Sequence, residues 1–237
     1  MVAAAVCPHP PVLVPELAGR AAAELDDLRA ACRTAIARLL AAEPTTVLVL
    51  AAGPRDEEFE SGTTDTFSRF GVPLAVRLGR ASGPVDVRPL PLGLLVGGWL
   101  LDRTGVARVV GRSVAQTASV ADCVALGHRI AQHPGRIGLL VMGDGSACRG
   151  EKSPGYHDPR AEAYDDRVAA ALARADSGQL LDLDPALSAE LQAAGRVAWQ
   201  VLAAAARAGG RPWRGNLSYY AAPYGVAYFV ATWEATS

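Results

Sequence analysis

Three short runs of aliphatic and β-branched residues, Val2 to Cys7, Thr45 to Ala52 and Arg136 to Met142, constrain this chain most. Each is too short for a typical helix. A strand with one wet face alternates polar and apolar residues, whereas an unbroken apolar run is buried on both faces, as in a parallel sheet covered by helices. Between the first two runs, Leu25, Leu28, Cys32, Ile36 and Leu39 recur at steps of three and four. Arg20 to Ala42 therefore reads as an amphipathic helix, with Asp26, Asp27, Arg29 and Arg33 turned from the core. Strand, helix, strand is a βαβ unit.

The same signals predict further strands at Leu74 to Leu78, Ala107 to Ala115, Leu217 to Ala221 and Val226 to Trp233. Helices are expected at Leu94 to Arg103, Val120 to His133, Pro159 to Ala175, Pro185 to Ala194 and Ala198 to Ala208. Asp56, Glu57, Glu58 and Glu60 read as a solvated acidic helix start. The alternation predicts an α/β fold over 1–237 as a single domain: a three-layer α/β/α arrangement around a largely parallel sheet, made mixed by the two strands flanking Pro223-Tyr224-Gly225. A chain of 237 residues that is 50% hydrophobic has ample material for such a core.

The 23 basic and 24 acidic residues nearly cancel, which leaves no electrostatic footprint for a phosphate backbone, so no nucleic acid is expected as a partner. The most apolar stretch, Leu90 to Leu101, contains Pro91, Gly93, Gly97 and Gly98 and falls short of the roughly 20 residues a spanning helix needs, so no membrane partner is expected either. Cys7, Cys32, Cys123 and Cys148 include no close pair of the structural-zinc kind, and reduced thiols in a cytoplasmic protein are the expectation. A small-molecule ligand is the expected partner, and a homo-oligomer is compatible with the sequence.

In open α/β sheets ligands bind beyond the carboxyl ends of the strands. His9 falls there, held by Pro8, Pro10 and Pro11 after the first run. So does Gly143-Asp144-Gly145-Ser146 after the third, where Gly145 is suited to a close backbone approach to a ligand. Some sixteen residues follow before the helical pattern resumes, among them Arg149 and His157, and a loop that long is usually functional or disordered. Its glycines and the chain's single lysine, Lys152, suggest mobility. Asp158 is expected to cap the next helix, and Cys148 and His157 are one arrangement for a thiolate nucleophile. His128 and His133 flank a helix end and receive no chemistry. Neither a nucleophile elbow nor a phosphate loop is present: Asp144 and Cys148 occupy the elbow's glycine positions, and no Gly-Lys-Ser/Thr occurs.

Three segments taken together resemble a family. Val6-Cys7-Pro8-His9-Pro10-Pro11-Val12-Leu13-Val14-Pro15-Glu16, Met142-Gly143-Asp144-Gly145-Ser146 and Ala222-Pro223-Tyr224-Gly225-Val226-Ala227-Tyr228 are similar to the class III extradiol ring-cleavage dioxygenases, represented by the catalytic subunit of protocatechuate 4,5-dioxygenase, with Memo-like proteins in the same superfamily. The resemblance implies a non-haem ferrous iron held by two histidines and usually a glutamate, with a catechol and dioxygen at the open positions. His9 matches the first ligand. Gly53-Pro54 stands where the second histidine is expected, Ala147 where the acid/base histidine closes the Gly-Asp-x-Ser-His pattern, and no glutamate matches near Asn216 to Tyr220, Glu234 lying beyond the last strand.

Three readings follow from the resemblance. The first is a family member without the metal, binding a small molecule or acting as a metal-independent enzyme through His157, Asp144 and Ser146, with His9, Arg149 and Tyr224 lining the substrate crevice and no cofactor. The second is a remodelled site holding ferrous iron or another divalent metal through His9 and His157 with a carboxylate such as Asp144. The third is a non-catalytic interaction subunit. The missing ligands favour the first.

Overall fold

The computed structural model describes residues 1–80, 86–102 and 104–236. Strand β1 (Ala3–Cys7) leads through a 3-10 turn (Pro11–Leu13), the short helix α1 (Pro15–Ala18) and a 3-10 segment (Gly19–Leu25) into helix α2 (Asp26–Ala41). Strands β2 (Thr46–Gly53), β3 (Glu57–Phe59), β4 (Thr64–Thr66) and β5 (Ala75–Arg77) follow, then α3 (Leu92–Leu101), β6 (Val109–Ala115), α4 (Val120–Ala131) and β7 (Ile137–Met142). Helices α5 (Ala161–Arg174), α6 (Ser177–Leu181), α7 (Pro185–Glu190) and α8 (Arg196–Ala208) precede the closing strands β8 (Trp213–Ala221) and β9 (Tyr228–Ala235).

Seven strands form one sheet in the order β3-β6-β2-β7-β1-β9-β8. The central four, β6, β2, β7 and β1, are parallel, and β3, β9 and β8 run antiparallel to their neighbours. The sheet is mixed, with its parallel core where the unbroken apolar runs lie. One core packs α2 and α3 on one face through Leu28, Cys32, Leu94 and Leu95. The other packs α4, α5 and α8 on the opposite face through Cys123, Val168, Trp199 and Val201. This is the expected three-layer α/β/α fold. Among the described residues, no helix is long and apolar enough to cross a membrane.

Glycines that weaken α3 on propensity are what let it lie against the sheet. A Cβ at Gly93 would meet Ala51 Cβ at 2.6 Å, and one at Gly97 would meet Val49 Cγ1 at 2.6 Å. The close approach outweighs the roughly 1 kcal/mol that each helical glycine costs. The helix spans Leu92–Leu101, and Arg103, where it was expected to end, lies outside the described residues.

Four expectations need correction. The acidic segment after Pro54 is not a helix start but the edge strand β3, whose Glu57 pairs with Arg55 and Arg88 and whose Glu58 pairs with Arg112, while Phe59 is buried. Charge partners across the strands, invisible in the local pattern, decide it. Residues 75–77 do form a strand, but in a separate two-stranded ribbon with β4. Arg29 is buried, donating to the carbonyls of Leu13 and Ala22 and to Asp26 Oδ1. Asp158 does not cap α5: it accepts from the Arg160 backbone N–H at 2.8 Å and binds its guanidinium, and the helix begins at Ala161.

Candidate functional site

Chain connections set the geometry. The crossover leaving β1 runs over the α2 face, whereas the chain leaving β7 runs to α5 on the other face. Because β1 and β7 are adjacent, with Cys7 opposite Met142, the two exits diverge at the carboxyl edge of the sheet, where open α/β sheets bind their ligands. His9 and Asp144 meet there. The backbone N–H of His9 donates to Asp144 Oδ1 at 2.7 Å, and its Nδ1 stands 3.8 Å from the same oxygen, beyond hydrogen-bonding distance.

His9 is 8% exposed, and its Nδ1 is buried without a hydrogen-bond partner. A polar atom in that condition is costly unless something else completes it. Asp144 Oδ2 makes no hydrogen bond to the described residues. Burial pushes the Asp144 carboxyl up from its ordinary value, with the neighbouring His9 and its N–H opposing the shift. Tyr228, buried at the start of β9, is raised as well, first by burial and then by the charge of Asp144 beside it. The sequence reading missed Tyr228; its place inside the terminal motif, four residues after Tyr224, was the available signal.

Ser146, although only two residues from Asp144, belongs to the opposite face. It is fully buried, its Oγ donating to Asp165 Oδ2 at 2.5 Å and its backbone N–H to Asp165 Oδ1 at 2.8 Å. Arg149 joins the same cluster, with Nη1 3.4 Å from Asp165 Oδ2 and 2.8 Å from Tyr220 Oη, and Nη2 2.8 Å from Glu162. Tyr220 in turn donates to Asp166 Oδ1 at 2.7 Å. Burial raises the Asp165 carboxyl, against the pull of Ser146 and Arg149. Asp165 shares one face of α5 with buried Val168 and Leu172, so a carboxylate inside an apolar stripe was the sequence signal for it.

Gly145 serves this cluster. A Cβ there would meet Asp165 Oδ1 at 2.6 Å and Phe229 Cε2 at 2.7 Å, so packing, not ligand approach, accounts for the glycine. The loop that follows is fastened along its length: Ala147 N–H to Leu191 O, Arg149 N–H to Gly225 O, Gly155 N–H to Ala147 O and Asp158 N–H to Cys148 O. Cys148 is buried, its thiol donating to the Gly155 carbonyl at 3.3 Å and raised by burial, which opposes a thiolate. Tyr224 Oη donates to Glu24 Oε2 at 2.8 Å, tying the final turn to the segment before α2.

Of the residues singled out from sequence, the structure thus joins His9 to Asp144 and, separately, Ser146 to Arg149. His157 is exposed and makes no hydrogen bond to either group. Among the described residues no three His, Cys, Asp or Glu side chains gather in a way that could hold a metal, His9, Asp144 and His157 included. At Gly53 a Cβ would meet Ser113 Cβ at 2.8 Å and Pro91 Cγ at 3.3 Å, so the end of β2 has no room for a longer side chain.

The fold and these positions define a three-layer α/β/α protein with a hydrogen-bonded His9–Asp144 pair at the β1–β7 junction. No family model matches the chain, and no curated protein is similar to it. Solved structures are: 18 chains match, and one of them is the uncharacterized protein JW3007 from Escherichia coli K12, with a TM-score of 0.51 and 13% identity over 99% of this chain and 100% of that one. At this identity the likeness shows the fold alone.

Proposed function

We propose that this chain is a class III extradiol dioxygenase-like protein that binds a small polar or aromatic molecule at the β1–β7 junction without the family's iron. The observation that carries the reading is the buried, unpartnered Nδ1 of His9, fixed by its own backbone N–H beside a carboxylate that burial raises. A ligand hydroxyl would complete the imidazole, and Asp144 Oδ2 offers a second acceptor. Tyr228, whose hydroxyl is raised by burial and by the charge of Asp144, supplies an aromatic ring near the carboxylate. In that arrangement His9 and Asp144 bind and orient the ligand and can exchange a proton with it.

The residues present do not fit a three-ligand ferrous site. His9 offers one nitrogen; Gly53 offers no side chain and sits where none can enter; Ala147 stands at the position of the family's acid/base histidine. A single imidazole with a hydrogen-bonded carboxylate holds a labile divalent ion poorly against water.

Catechol is the appropriate probe. Titrated calorimetrically with a metal chelator present, it is expected to bind the wild type and to bind His9→Ala at least tenfold more weakly. Anaerobic ferrous iron is expected to leave no stoichiometric complex on the desalted protein. Tight iron lost with His9→Ala, together with oxygen-dependent opening of the catechol ring, would sink the metal-free reading; no catechol binding under either condition would sink the ligand class.

A further inference from the structure

A cavity lies at the same edge of the sheet, on the face of α7 and α8. With about 480 Å³, it lies between the end of β2 at Ala52, the turn after β6 at Gln116 and Thr117, helix α7, and the start of α8. Its volume is that of an ordinary small-molecule site. The wall sets an apolar side, Pro185, Ala189, Ala193 and Val197, beside neutral polar groups of Thr117, Ser188 and Gln192, and contains no carboxylate. It does contain Arg196, which is 5% exposed.

Arg196 is a buried cation with no ion pair among the described residues. Its Nη1 donates to Ala118 O at 2.8 Å and to Gln200 Oε1 at 3.1 Å, and its Nη2 to Gln116 O at 2.7 Å. Three of the five guanidinium N–H groups are thereby used, all on neutral acceptors, and two are left without a protein partner. Burying a charge without a counter-charge is expensive, and carbonyl dipoles offset it only in part. Acids on the flanking elements are engaged elsewhere: Asp122 caps α4 with Ser119, Asp56 accepts from the Ala115 N–H, Asp184 caps α7 through the Ala186 and Leu187 N–H groups, and Glu190 pairs with Arg160. Arg196 is also the first residue of α8, a 13-residue helix with no side-chain cap, so the positive end of its dipole opens on the same space.

We propose that this cavity is a binding site for a small organic carboxylate with an apolar body, its two oxygens taking the free guanidinium N–H groups and its body lying on the alanine and valine wall. Two free donors on one planar group suit a planar two-oxygen anion. The cavity shares no lining residue with the His9–Asp144 pair, although Gly195, between Ala194 and Arg196, donates its N–H to the Asp144 carbonyl at 2.9 Å.

Benzoate and its neutral isostere benzamide are the probes. Calorimetric titration of the full chain should give binding of benzoate at least tenfold tighter than of benzamide. Thr117 and Ala189 are exposed wall residues, so Thr117→Glu, which places a carboxylate at the rim, and Ala189→Trp, which fills the cavity, should keep the thermal midpoint while weakening benzoate tenfold or more. His9→Ala should leave benzoate binding unchanged. Equal affinity for the two probes, no benzoate binding at 10 mM as an order-of-magnitude ceiling for a weak site (about 2.7 kcal/mol), tighter binding of inorganic phosphate, or full affinity in both cavity variants would each overturn the proposal.

Discussion

Asp144, just beyond β7, and Asp165, on α5 against Ser146 of the same loop, are both raised by burial and serve opposite ends. Asp165 is saturated: both Ser146 donors and Arg149 converge on it, and no part of it reaches solvent. Asp144 takes one backbone N–H and keeps an oxygen free beside an imidazole whose Nδ1 is also unpartnered. A carboxylate with both oxygens engaged inside the protein fixes a loop; one with a free oxygen beside a buried, unpartnered imidazole nitrogen is built to receive something. The contrast lies in what surrounds each carboxyl, not in the direction of its shift.

The sharpest way to break this contrast is Asp165→Ala. It strands the Ser146 N–H and hydroxyl inside the protein and removes a counter-charge from Arg149, which should cost about 3 to 5 kcal/mol. For a chain of this length that lowers the thermal midpoint by roughly 6 to 20 °C, readable by calorimetry. A loss below about 1 kcal/mol would mean that Asp165 is not the fastening it resembles. Gly145→Ala comes next: the added methyl must displace Asp165 Oδ1 or Phe229, costing about 1 to 3 kcal/mol in urea unfolding. Gly53→His belongs in the same range, because Ser113 and Pro91 occupy the space, and it should leave ferrous iron unbound in anaerobic dialysis. Stoichiometric iron in that single variant would show that only one side chain separates this site from a metal centre.

How much of this was legible beforehand divides along the same line. The parallel core was legible because unbroken apolar runs such as Ile137–Met142 admit few environments, and His9 and Asp144 followed from strand ends alone. What decided Ser146 and Arg149 was Asp165, 19 and 16 residues away, and no local pattern says which face a loop residue will turn to. The strand Glu57–Phe59 was hidden for a similar reason, since its arginine partners come from Arg88 and Arg112, at distant positions. Tyr224 was singled out for its motif, yet its hydroxyl is engaged by Glu24, 200 residues earlier, while Tyr228 stands near Asp144. Long-range polar pairing is the part that composition and periodicity do not encode.

The smallest effect is the most diagnostic in sign. Asn at position 144 keeps an acceptor for the His9 N–H and removes a charge that the site disfavours, so Asp144→Asn should alter stability by less than about 1 kcal/mol, and upward. A carboxyl whose folded value lies above its unfolded one carries no penalty while both states are protonated. The penalty grows as pH rises from the ordinary carboxylate value through the folded one. The midpoint of Asp144→Asn should therefore match the wild type in acid and exceed it increasingly toward neutrality. Asp158, held down at about 2 by hydrogen bonds from Arg160, supplies the opposite case. Its contribution is present above the ordinary value and lost as pH falls through about 2, so Asp158→Asn should sit below the wild type at neutral pH and converge with it in acid. If the two variants diverge from the wild type in the same direction, the fold stabilises the Asp144 carboxylate as it does that of Asp158, and the case for a ligand at His9 loses its second partner.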